Sequence, residues 1–84
     1  MENRVIVSVA DGLHARSAAV FVKMAGDQPA RVSIQKDGGA FADCTSILAV
    51  MNLGINEGDE VVLAAQGDGA EESISALTEY LTRR

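Results

Sequence analysis

Val5, Val7 and Val9 alternate with Arg4, Ile6 and Ser8. A period of two in a run this rich in β-branched residues predicts a strand over residues 2–8. Asp11-Gly12 breaks it. The period then changes: Ala18, Phe21, Val22 and Ala25 stand at i, i+3, i+4 and i+7, one face of a helix over residues 15–26. Gly26 and Pro29 stop that helix. Residues 31–36 alternate again with Val32 and Ile34 on one face, and Asp37-Gly38-Gly39 is a tight-turn signal. Residues 40–43 can return from it as an antiparallel strand.

Thr45 or Ser46 then caps a short helix through Asn52, with Gly54 as its stop. Within it Ile47, Val50 and Met51 form a core-type stripe, and Leu48 lies off it. Glu60–Ala65 reads as a fourth strand, after the turn Glu57-Gly58-Asp59. In the last segment Ala70, Ile74, Leu77 and Leu81 line one helical face. Its charges suit the helix dipole, with Glu71 and Glu72 in the first turn and Arg83 and Arg84 in the last. The order β-α-β-β-α-β-α on so short a chain predicts one sheet with helices on one face, an α+β two-layer domain.

Composition narrows the function. The chain has 84 residues, which fits one domain over residues 1–84. One Cys, Cys44, forbids an internal disulfide and suits a reducing, cytoplasmic setting. No Cys or His lies near it in sequence, so it is expected to be a small half-buried hydrophobe. One Cys and one His cannot supply the four ligands of structural zinc. Seven Lys and Arg against twelve Asp and Glu give a net charge of −5, which opposes nucleic-acid binding. Two Phe and one Tyr are too few for a base-stacking platform. No apolar run is long enough to insert in a membrane, and Met1-Glu2-Asn3-Arg4 is not the start of a signal peptide.

Chemistry concentrates at His14, the one side chain that ordinarily titrates near neutral pH. It stands in Asp11-Gly12-Leu13-His14-Ala15-Arg16, where the first turn delivers the chain into the first helix. A helix start offers unpaired N–H groups and partial positive charge, a setting suited to phosphate. Arg16 adds a guanidinium able to grip phosphate oxygens. Leu13 and Ala18 are placed to staple the helix start. An imidazole here can act as a nucleophile and carry a phosphoryl group. The bland alternative is a solvated turn histidine beside an ordinary exposed arginine.

Gly12-Leu13-His14-Ala15-Arg16 resembles the active-site signature of the HPr family, the histidine phosphocarriers of the phosphoenolpyruvate-dependent sugar phosphotransferase system. A second block, Ser46 to Ile55, is similar to that family's regulatory-serine region and second helix, and the likeness spans the whole chain. The resemblance implies an open-faced β-sandwich, a four-stranded antiparallel sheet with three helices on one face. It implies that His14 takes a phosphoryl group from enzyme I on Nδ1 and passes it to sugar-permease A domains. Arg16 would steady the phosphate. No cofactor is implied, a monomer is expected, and such a relay is a carrier without independent turnover.

The family usually has Pro where this chain has Ser17. Ser17 is expected to offer a free backbone N–H and a hydroxyl near the phosphate, on a looser helix start. Ser46 matches a serine that a regulatory kinase phosphorylates in some members, although helix capping alone explains a hydroxyl there. Ala19, Val20 and Lys23 on the first helix, with Ile47, Leu48 and Met51 on the second, correspond to positions that dock partners. The alternatives are a paralogous carrier serving nitrogen regulation or dihydroxyacetone phosphorylation, and a binding module that docks transcription regulators.

Overall fold

The computed structural model describes residues 1–83. Strands β1 (Glu2–Ile6), β2 (Val32–Lys36), β3 (Ala42–Asp43) and β4 (Glu60–Ala65) form one antiparallel sheet in the order β1-β4-β2-β3. Helices α1 (Ala15–Gly26), α2 (Ile47–Asn52) and α3 (Ala70–Leu81) complete an α+β architecture in the expected order. In register, Val5 faces Val61, Ile34 faces Leu63 and Val32 faces Ala65. All six are buried. Their neighbours Arg4, Gln35 and Val62 point to the other, open face. That is the alternation of a sheet packed on one side only.

The helices supply the other half of the core. Ala18, Phe21 and Ala25 of α1 and Ala70, Ile74, Leu77, Tyr80 and Leu81 of α3 are buried. Phe21 and Tyr80 meet with ring centroids 6.2 Å apart. Truncating Phe21, which has no exposed surface, would cost about 3–5 kcal/mol. Val22 is only half-buried, at the margin of this core.

Four expectations need correction. The first strand ends at Ile6 because the chain leaves the sheet to meet the end of α3, where Ser8 and Val9 donate to Leu81 O at 2.8 and 2.9 Å. The second helix does not bury Ile47 and Met51: only Val50 is fully buried, and Ile47, Leu48 and Met51 are exposed. Six residues make under two turns, so a single line of the helix reaches the core. Cys44 is fully buried rather than half-buried, and burial, with Asp43 beside it, pushes its thiol up to about 12. Arg83 lies beyond the last turn of α3, where its guanidinium sits 5.4 Å from the Tyr80 ring centroid. Arg84, expected beside it, lies outside the described residues.

Ser46, and not Thr45, caps α2, its Oγ accepting from Ala49 N–H at 3.3 Å. Thr45 instead directs its N–H and hydroxyl to Asp43 Oδ1, at 2.9 and 2.7 Å. These two bonds, with Arg31 nearby, hold the Asp43 carboxyl below its ordinary range. No helix among the described residues is long and apolar enough to cross a membrane. No group of three or more His, Cys, Asp or Glu among them could hold a metal ion.

Candidate functional site

Two loops press together to build the site. Gly12 has φ +64, and a Cβ placed there would stand 2.5 Å from Ile55 O and 2.7 Å from Asn56 Cα. Glycine is therefore required twice, for the left-handed backbone and for the close approach. The approach lets Leu13 N–H donate to Ile55 O at 3.0 Å while the Leu13 side chain enters the core. Leu13 and Ala18, the expected staple, are both fully buried.

His14 follows as the N-cap of α1, in extended conformation, with its ring exposed. The imidazole is not loose, because Nε2 lies 2.7 Å from Asn56 Oδ1. Asn56 donates its Nδ2 to Gly54 O at 3.3 Å, and its backbone N–H to Asp59 Oδ2 at 2.7 Å. Lys36 reaches in from the end of β2, bonding Gly54 O at 2.7 Å and pairing with Asp59 at 3.1 Å. The Asn56 N–H, and after it Lys36, hold the Asp59 carboxyl below its ordinary range.

Ala15, the first residue of α1, has φ +42. A non-glycine residue in this region carries strain on the order of 1–3 kcal/mol. The strained turn leaves the N–H groups of Ala15 and Arg16 without an acceptor among the described residues. No acidic side chain occupies the first turn. Arg16 is exposed, with no carboxylate at ion-pair distance among the described residues. Asp11, His14, Ala15, Arg16, Ser17 and Tyr80 are among the residues lining an open depression of about 640 Å³.

Ser17 differs from expectation. Its N–H is not free, since it donates to His14 O at 3.0 Å. Its hydroxyl lies 2.6 Å from Gly12 O and 2.9 Å from His14 O, so its one proton is shared between two carbonyls. The same oxygen accepts from His14 N–H at 3.1 Å, half of a capping box. Tyr80 OH adds a bond to Ser17 O at 3.2 Å. The helix start is braced by these bonds instead of loosened, and the N–H groups free to meet an anion are those of Ala15 and Arg16.

The positions expected to dock partners are all exposed: Ala19, Val20 and Lys23 on α1, and Ile47, Leu48 and Met51 on α2. Helix α1 packs against α2, so the two groups sit on adjoining elements. Ser46 is exposed at the start of α2. Asn56 and Tyr80 escaped sequence reasoning. Asn56 reads as one more polar residue of the turn after Gly54, and Tyr80 as a scattered aromatic. Their roles depend on contacts across 42 and 63 residues.

Comparison with known proteins shows the family and the fold. A family model described as "PTS HPr component phosphorylation site" matches residues 1–83. The phosphocarrier protein HPr of Streptomyces coelicolor is 42% identical over 80 residues, covering 95% of this chain and 86% of the relative. The crystal structure of a phosphocarrier protein HPr from Bacillus anthracis superposes with a TM-score of 0.91 at 38% identity, covering 96% and 95% of the two chains. The solution structure of Crh, described as the Bacillus subtilis catabolite repression HPr, superposes at 0.73 with 34% identity, covering 100% and 99%. The chain belongs to the HPr family of phosphocarrier proteins, which relay a phosphoryl group and are not enzymes.

Proposed function

We propose that this chain is a phosphocarrier of the sugar phosphotransferase system, in which His14 accepts a phosphoryl group on Nδ1 from phosphorylated enzyme I. It then gives the group to the A domain of a sugar permease. The observation that carries the reading is the start of α1. An exposed imidazole whose Nε2 is engaged by Asn56 stands beside two N–H groups and a guanidinium that have no partner among the described residues. An imidazole nitrogen attacks phosphorus there, and the dianionic group it gains meets helix-end N–H donors and Arg16. Brief docking of both partners would use the apolar residues of α1 and α2 around Lys23.

Incubation with enzyme I and phosphoenolpyruvate, followed by intact-mass measurement, tests the reading. The expected result is one added phosphoryl group, lost in mild acid and absent in His14→Ala. A chain that takes up no phosphoryl group from any enzyme I overturns it.

The likeness to Crh favours a second reading, a regulatory module controlled through Ser46. Ser46 is an exposed cap beside Ile47 and Leu48, so a phosphate there would place a dianion against an apolar docking surface. That reading requires an ATP-dependent, acid-stable phosphate abolished by Ser46→Ala.

A further inference from the structure

We propose that Asn56 is a positioning residue for phosphoryl transfer: its side-chain amide fixes the proton of His14 on Nε2 and so leaves the lone pair on Nδ1. The inference rests on the carrier reading and adds to it a residue outside the histidine signature.

Gly54 O can only accept. It receives Lys36 Nζ at 2.7 Å and Asn56 Nδ2 at 3.3 Å. The amide nitrogen of Asn56 must face that carbonyl, so Oδ1 must face the imidazole. Oδ1 has no proton to give, and its 2.7 Å contact with Nε2 requires an N–H on the ring nitrogen. The neutral ring therefore presents an unprotonated Nδ1.

The backbone of Asn56 is held in this place. Its N–H is tied to Asp59, Asp59 to Lys36, and its Cα lies against Gly12. The partner of a reactive imidazole commonly sets its tautomer in this way.

In the transfer the Nδ1 lone pair forms the new nitrogen–phosphorus bond. The bond from phosphorus to the donor's ring nitrogen breaks, and its electron pair stays with the donor. The Nε2 proton does not leave, so the His14 ring gains a positive charge and the bond to Oδ1 becomes charge-assisted. A carboxamide is too weak a base to remove that proton. When the phosphoryl group departs, the ring leaves as neutral imidazole and not as imidazolate. The same contact thus serves loading and unloading.

The test combines nitrogen NMR of the unphosphorylated protein with rates of phosphorylation by enzyme I. At mildly alkaline pH the wild type should show one protonated nitrogen, Nε2, well separated from a lone-pair nitrogen, Nδ1. In Asn56→Ala the two resonances should move toward each other as tautomers mix, and phosphorylation should slow about tenfold, as for other partners that orient a functional histidine. Asn56→Asp keeps an accepting oxygen and should restore the separation. A dispersed amide spectrum of each variant reports that it is folded, and the two substitutions together keep the tautomer question answerable if one is not. Unchanged nitrogen shifts in Asn56→Ala overturn the inference, even if the rate falls. A wild type with the stated tautomer that enzyme I cannot phosphorylate overturns the carrier reading instead, and with it the role in transfer.

Discussion

Helices α1 and α3 are both twelve residues long, yet they begin in opposite ways. Helix α3 starts at Gly69, with φ +83, and places Glu71 and Glu72 in its first turn. Its own carboxylates answer the positive end of the dipole. The Ala70 N–H has an acceptor in Gly67 O at 3.2 Å, while the N–H groups of Glu71 and Glu72 have none among the described residues. Helix α1 starts at a histidine, has no acidic residue in its first turn, and adds a cation at Arg16. Its first residue is strained, and its first two N–H groups have no acceptor among the described residues. The two ends differ in charge: α3 supplies its own carboxylates, and α1 supplies none. In the proposed carrier reading, the start of α1 is the one that would receive an anion from outside, and the strain at Ala15 is its cost in local stability.

The contrast can be broken in four ways. The largest effect belongs to Gly12→Ala. The added methyl would meet the Ile55 carbonyl and the Asn56 backbone in a conformation that alanine resists. A loss of about 2–4 kcal/mol in chemical unfolding is expected from strain and overpacking together. Phosphorylation should fall with it as the two loops separate.

Arg16→Glu gives α1 the kind of first turn that α3 has. Phosphorylation by enzyme I should drop roughly a hundredfold, the scale of losing one donor to a developing oxyanion. The melting temperature should hold or rise slightly, since a carboxylate suits that position. A variant that loads at the wild-type rate would sever the link between the open helix end and the phosphate.

Ala15→Gly relieves the positive φ and should be neutral or stabilising by up to about 1 kcal/mol. The same change at exposed Ala19, inside the helix, should cost about 1 kcal/mol. Equal losses at both sites would mean that the start of α1 is not strained.

The smallest effect is expected at the other helix. Glu71→Gln and Glu72→Gln should each cost roughly 0.3–1 kcal/mol at low salt, less at high salt, and leave phosphorylation unchanged.

How legible these two helices were in the sequence follows from how local their causes are. Helix α3 is written in Ala70, Ile74, Leu77 and Leu81, all of which are buried. The β2–β3 turn is written in Asp37-Gly38, whose φ values are both positive. His14 and Arg16 were also legible, because a helix start and a short motif are local features. Helix α2 was misread on one side: in so short a helix periodicity does not say which stripe faces inward. Ser17 was misread because its partners, Gly12 O, His14 N–H and the Tyr80 hydroxyl, are set by a turn shape that spacing does not reveal. Asn56 was invisible for a plainer reason. Its neighbour in space is distant in sequence, and only the packing of Gly12 on the second loop brings them together.

The bond from Ser8 and Val9 to Leu81 has a consequence for timing. The loop that presents His14 is anchored to α3, more than 60 residues later, and Tyr80 braces Ser17 from the same stretch. A ribosome releases these residues well after the loop itself. Until then the imidazole exists as a side chain but not as a site, so the nascent chain is a poor substrate for any phosphoryl donor. In the proposed carrier reading, readiness to take phosphate would thus report that synthesis has passed α3.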